Sequence, residues 1–268
     1  MIDIASPPAD AMVRAIHTGD PLTVRRLLRE NPALAGARFG TGDPQGVART
    51  LLHVATDLPG HYPHSAETVT ILAEAGVDVS APCTGPYAET PLHWAASSND
   101  VEALEALLDA GADIEAPGAM FGDGTPLADA IGFGQWQAAR HLIDRGARTM
   151  LWQAAAMGLR SRILEGFPDT APPSPEKLND AFWYACHGGQ FNAAIYLRGR
   201  GADLNRIPAR EELTPLDAAR RNGAADLVQW LHTHGARSAT EPRFPDNGAL
   251  VHHFPADRIR CSGWFRPG

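Results

Sequence analysis

One seven-residue phrase recurs along the chain and limits what it can fold into. Thr90-Pro91-Leu92-His93-Trp94-Ala95-Ala96, Thr125-Pro126-Leu127-Ala128-Asp129-Ala130 and Thr214-Pro215-Leu216-Asp217-Ala218-Ala219 align, and Gly-Ala follows each about twenty residues later, at Gly111-Ala112, Gly146-Ala147 and Gly235-Ala236. The phrase reads as a helix start. A threonine hydroxyl caps the first turn, and proline suits the first helical position, where its missing N–H has no partner to lose. Asn99, and Gly19, Gly134, Gly158, Gly189 and Gly223 in the equivalent places, then end that helix, where a left-handed conformation costs Gly or Asn least. A second helix follows. In Val101-Glu102-Ala103-Leu104-Glu105-Ala106-Leu107-Leu108, the residues Val101, Leu104 and Leu108 fall on one face. Such a helix–turn–helix–loop unit cannot bury its own apolar face, so neighbours must stack.

Weaker copies extend the frame. Thr50-Leu51-Leu52-His53-Val54-Ala55 opens one that closes at Gly76-Val77-Asp78, and Asp180-Ala181-Phe182-Trp183-Tyr184-Ala185 opens one that closes at Gly201-Ala202-Asp203. Ala11 to Asn31 reads as a degenerate first copy, and Thr149-Met150-Leu151-Trp152-Gln153-Ala154-Ala155 opens a truncated one. The Thr-Pro-Leu-His-x-Ala-Ala opening with a Gly-Ala-Asp close resembles the ankyrin repeat, over residues 9–238. The resemblance implies an all-α, curved solenoid of about seven stacked repeats, near 10–38, 50–81, 90–117, 125–148, 149–168, 180–207 and 214–238. It also implies finger loops and a concave groove that grips a protein. Extra residues, Asp57 to His64, separate the second repeat's helices; the fifth repeat is short; Ser174-Pro175 opens a longer first helix in the sixth. Residues 239–268 fall outside the frame. Phe244, Leu250, Val251, Phe254 and Trp264 make this segment apolar enough to be a candidate cap over Trp230 and Leu231.

Composition narrows the function. There are 23 basic and 31 acidic residues, giving a net charge of −8, which disfavours a phosphate backbone as partner. The cysteines, Cys83, Cys186 and Cys261, are widely spaced and make neither a disulfide framework nor a CxxC pair. With no basic and apolar leader pattern at the start and no apolar run long enough for a bilayer, a cytoplasmic protein without a membrane partner is expected.

Catalytic signatures are missing: no GxSxG, P-loop, HExxH or strand-borne GxGxxG occurs. His53 and His93 share the fourth place of the phrase, where a ring can bond back to the capping threonine and to the next loop. His61 and His64, with His53, sit in irregular chain with no acidic or thiol partner set by a motif, so no metal and no cofactor is expected. Cys186 and His187 are adjacent on a helix and diverge by about 100°, and Cys186 matches a small, buried motif position. Glu211-Glu212 reads as solvated loop.

A recognition surface remains. The finger loops offer Phe39, Pro86, Tyr87, Met120 and Phe121. The first helices offer Trp94, Ser97, Phe133, Met157, His187 and Arg221 along the groove. Trp94, Trp152 and Trp183 have an alternative role as packing between repeats, whereas Met120 and Phe121, in a Gly-rich loop, have few core neighbours in prospect and favour contact. Tyr87, Trp94, Ser97, Met120, Phe121, Phe133, His187 and Arg221 are therefore the expected protein-binding residues. Glu89, Asp123, Asp129 and Asp217 would favour a partner with basic patches. The alternative is an enzyme or small-molecule binder that uses the groove or the C-terminal segment as a pocket.

Overall fold

A computed structural model describes residues 2–4, 6–40, 46–85, 87–121, 124–168, 171–209 and 211–240. Within them the chain forms seven antiparallel helix pairs. These are α1 (Pro7–Thr18) with α2 (Pro21–Glu30), α3 (Leu51–Thr56) with α4 (Ser65–Glu74), α5 (Pro91–Ser98) with α6 (Val101–Asp109), and α7 (Pro126–Gly132) with α8 (Trp136–Asp144). α9 (Leu151–Ala156) with α10 (Arg160–Glu165), α11 (Pro175–His187) with α12 (Phe191–Gly199), and α13 (Pro215–Arg221) with α14 (Ala225–Thr233) complete the row. First helices pack on first helices in sequence order, and α2, α4, α6 and α8 form a second row behind them. This is an all-α repeat solenoid. The candidate cap is untouched by this description, because its residues beyond 240 lie outside the described set.

The recurring phrase does what its chemistry demands. Thr125 and Thr214 accept the backbone N–H of Ala128 and Asp217, at 3.3 and 3.2 Å. Asn99 and the five equivalent glycines all adopt positive φ, so the turn after each first helix is left-handed. A ladder of backbone-to-side-chain bonds ties the loops together. The Ser80 hydroxyl accepts the Asp113 N–H (3.0 Å), Glu115 accepts that of Arg148 (2.7 Å), and Asn205 accepts that of Arg237 (2.8 Å).

The fourth place of the phrase links one repeat to the next. His53 Nδ1 accepts the Thr50 N–H (3.2 Å) while Nε2 meets the carbonyl of Glu89 (3.0 Å). His93 repeats this with the Thr90 N–H (3.0 Å) and the carbonyl of Gly124 (3.1 Å). A carbonyl only accepts, so both rings are neutral with the proton on Nε2. In the sixth repeat Trp183, fully buried, takes the slot, and its indole N–H donates to Leu213 O at 2.7 Å. In each case the carbonyl belongs to the residue just before the next capping threonine. Trp183→Phe keeps an aromatic ring but gives up part of the indole volume and leaves that carbonyl unpaired. A loss of about 1–3 kcal/mol in urea denaturation is the expected result.

The fifth repeat departs from its expected frame by one residue. The helix starts after Met150, not Thr149, because buried Gln153 stands in the histidine slot and accepts the Met150 N–H at 2.6 Å. One further expectation needs correcting. Phe39 is not a recognition residue: it is fully buried, in a two-residue parallel strand β2 (Phe39–Gly40) paired with β1 (Ile2–Asp3). Pro86, another finger-loop residue expected to make contact, lies outside the described residues.

Candidate interaction face

The outward face of the first-helix row, together with the loops that precede those helices, carries two polar–aromatic clusters. The first spans the third and fourth repeats. Tyr87 is 38% exposed and Phe133 is 40% exposed. Trp94, half-buried, stands edge-on to His53 and donates its indole N–H to Glu89 Oε2 at 2.9 Å. Ser97 is half-buried and spends its hydroxyl on His93 O (2.8 Å). Met120 and Phe121 are half-buried, and Phe121 has close neighbours that the sequence reading did not give it. Its ring lies where a side chain on Gly132 would be and meets Phe133 edge-on, centroids 5.0 Å apart. Asp129 is fully buried beneath the same loop, and its Oδ1 accepts the Met120 N–H at 3.2 Å. Asp123 lies outside the described residues.

The second cluster joins the fifth to the seventh repeats. His187 is buried, 4% exposed, so it does not line an open groove as its place in the sequence suggested. The end of α11 reaches past α9 to the fourth repeat, where His187 Nε2 meets Ile131 O at 2.9 Å. Arg221, exposed, donates to His187 Nδ1 at 3.1 Å. With an acceptor on one side and a guanidinium on the other, the ring is neutral, and burial holds its pKa down at about 4. Beside it Trp152 packs on Tyr184 (4.4 Å), and the Tyr184 hydroxyl donates to Glu211 at 3.3 Å. Glu211 is therefore not a solvated loop carboxylate. It is half-buried, and its pKa is raised chiefly by burial. Trp152, Tyr184 and Glu211 join the expected face. The sequence carried a signal for one of them: Tyr184 occupies the same place in its phrase as Trp94.

Reactive groups are quiet. Burial raises the Cys83 thiol to about 11 and pushes that of Cys186 up further, which suppresses the thiolate a nucleophile needs. His61 N–H is accepted by Asp100 and its Nε2 meets Ser98 O (3.0 Å), while His53 is committed to its cap. Among the described residues no group of three His, Cys, Asp or Glu is placed to hold a metal, and no helix is long and apolar enough to cross a membrane. Asp217 bonds within the last repeat, to the Thr214 hydroxyl (2.9 Å) and the Ala239 N–H (2.7 Å).

The family model for ankyrin repeats, in three copies, matches residues 11–118 and 64–151, just over half of the chain together. The chain belongs to the ankyrin-repeat family. No curated protein matches it. The ankyrin-type pairs continue past the matched region, since α11 to α14 keep the left-handed turns and the inter-repeat bond of the fourth phrase position. Ankyrin repeats are in general protein–protein interaction modules.

Proposed function

We propose that this ankyrin-repeat protein is a non-catalytic cytoplasmic scaffold or adaptor, and that it grips a protein partner along the face built by its first helices and loops. The observation that carries the reading is the placement of Tyr87 and Phe133, each more than a third exposed, on the same face as the half-exposed Trp94. Rigid aromatics on a preformed surface are the usual anchors of protein interfaces, worth about 2 kcal/mol or more each when central. Arg221, held by His187, adds a second anchor farther along the row. Met120, Phe121 and Ser97 support the aromatics, and His187 orients Arg221. An enzyme would need convergent polar groups in a hollow. The hollows between α10 and α12 and between α2 and α4 lie away from both clusters.

Site-specific photo-crosslinking in native extract tests this. A benzoyl-phenylalanine at position 87 or 133 should capture the same partner, and one at position 22, 79% exposed on α2, should not. With that partner purified, the combined change Tyr87→Ala and Phe133→Ala should weaken binding at least ~30-fold. Capture from position 22 alone, or affinity indifferent to the double change, would overturn the reading.

A further inference from the structure

The second-helix row is open in its C-terminal half. α2, α4, α6 and α8 pack on one another in turn, whereas α10 and α12 pack chiefly on their own first helices, α9 and α11, and leave a trough between them. A hollow of about 160 Å³ opens there, walled by Ile163 and Leu164 on one side and Phe191, Ala193 and Tyr196 on the other. That volume suits one aromatic or leucine side chain, since a dry apolar cavity of roughly 150 Å³ takes up benzene. Leu164 and Ile195 are both exposed along it. Arg160 opens α10 at one end. Arg200, just past α12, lies over the Tyr196 and Phe167 rings at the other, 5.0 and 5.2 Å from their centroids. A helix of the length between Phe191 and Arg200 separates these ends by about 14 Å. Arg160, Arg162, Arg198 and Arg200 make no ion pair among the described residues, and neither does Glu165, the one carboxylate on the two helices. In the larger hollow between α2 and α4, by contrast, Arg25 is answered by Glu74 and Arg26 by Glu30.

We propose that the trough between α10 and α12 docks an acidic amphipathic helix of a protein partner, which sets one large apolar side chain in the hollow and carboxylates on Arg160 and Arg200 at its ends. This surface lies on the opposite row from the first-helix face and does not depend on it. A scaffold needs two holds, and the trough supplies the second.

Charge selects the class of partner. Unpaired guanidiniums at both ends of the trough repel a basic segment and offer two-pronged bonds to carboxylates. The rings beneath Arg200 hold its head in place, so less order is lost when a carboxylate arrives. Shape selects the conformation. Two side-by-side helices offer ridges and grooves to a third helix but no sheet edge, so an extended segment would leave its own N–H and C=O groups unanswered against them. The apolar floor selects against a merely acidic chain, because a central anchor in a pocket carries most of the affinity.

The test uses the full chain and a fluorescein-labelled helical peptide of about 14 residues, ~20 Å long, with leucines and one central tryptophan on one face and glutamates on the rest. One counterpart carries lysine for every glutamate, and another carries alanine for the apolar face. Fluorescence anisotropy should show saturable binding of the acidic amphipathic peptide alone, weakening as salt rises. Arg160→Gln combined with Arg200→Gln should weaken it at least ~10-fold, and Leu164→Gln should weaken it as well. These positions are exposed, so the far-UV circular dichroism of each variant should match the wild type. Arg25→Gln combined with Arg29→Gln removes the same charge elsewhere and should leave affinity unchanged, as should Tyr87→Ala combined with Phe133→Ala. No saturable binding, equal binding of either counterpart, or an equal loss in the α2 pair would each overturn the proposal. So would loss in the Tyr87 and Phe133 variant, which would put the peptide on the first-helix face. Crosslinking from positions 87 and 133 can succeed or fail independently of these results, so the two readings fall separately.

Discussion

Gly188→Ala should break the solenoid into two parts that unfold separately. A Cβ at this position would lie 1.9 Å from the backbone oxygen of Ala156 on α9. No rotamer change relieves a clash with backbone, so α9 and α11 must move apart. The expected cost is on the order of 3 kcal/mol. The consequence is larger than the number suggests, because of where the clash falls. The apolar core is two clusters that meet at the fifth repeat: one runs from Ala9 to Met157, the other from Ala154 to Ala236. The fifth repeat contributes only six residues to each of its helices. In a stacked array cooperativity passes through nearest-neighbour interfaces, and forcing apart the close α9–α11 packing uncouples what lies on either side. Urea denaturation followed by far-UV circular dichroism should change from one transition to two, the C-terminal block melting first because it holds only two complete repeats. A single, merely shifted transition would show that the two cores are joined more strongly than their packing indicates.

The fifth repeat also marks where sequence legibility ends. Each complete phrase declares its own helix cap, turn and direction through local chemistry, so Thr90, Pro91 and Asn99 could be read without knowledge of their neighbours. The histidine slot was equally legible, because a ring three residues after a threonine can reach back to that threonine's N–H. What could not be read were properties set between repeats. Burial of His187 depends on α11 reaching past α9 to Ile131, two repeats away. Asp129 looked like a surface charge because nothing local says that the loop of Met120 and Phe121 closes over it. Phe121 looked free for the same reason, since its seat is the missing side chain of Gly132. The one-residue error at the fifth repeat came from searching for a threonine cap, whereas Gln153 defines that helix by accepting the Met150 N–H. That substitution shows that a backward-aimed acceptor can fill the slot without an imidazole, whereas Trp183 keeps only the forward bond to the next repeat.

From this follows the second large effect, a difference between His93→Ala and His93→Gln that depends on pH. Both nitrogens of His93 are used, one within its repeat and one on the loop of the next. Alanine strands the buried Thr90 N–H and the Gly124 carbonyl together, so a loss of about 2–4 kcal/mol at pH 7.5 is expected. Glutamine can present its oxygen to Thr90 as Gln153 does to Met150, and should retain most of that stability. The acid side separates the variants further. Burial depresses His53 to about 3 and His93 to about 4. The unfolded chain accepts protons near pH 6.5 that these folded sites, and His187, refuse. Their contribution is complete above pH 6.5 and is lost as pH falls toward the folded values, at up to about 1.4 kcal/mol per pH unit for each ring. Asp129 acts in the opposite sense. Its raised carboxyl stays protonated in the fold while the unfolded chain releases the proton, so stability grows as pH falls from about 8 toward 4. His17, His53, His93 and His187 all resist protonation in the fold, so their share of the stability falls on acidification between pH 6.5 and 5. Replacing His93 by glutamine withdraws one proton from that balance. The stability difference between wild type and His93→Gln should therefore shrink by about 1.4 kcal/mol per unit as pH is lowered through this window. Urea midpoints at pH 7.5, 6.5, 5.5 and 5.0 measure it, and a pH-independent difference would mean that His93 titrates alike in the folded and unfolded chains.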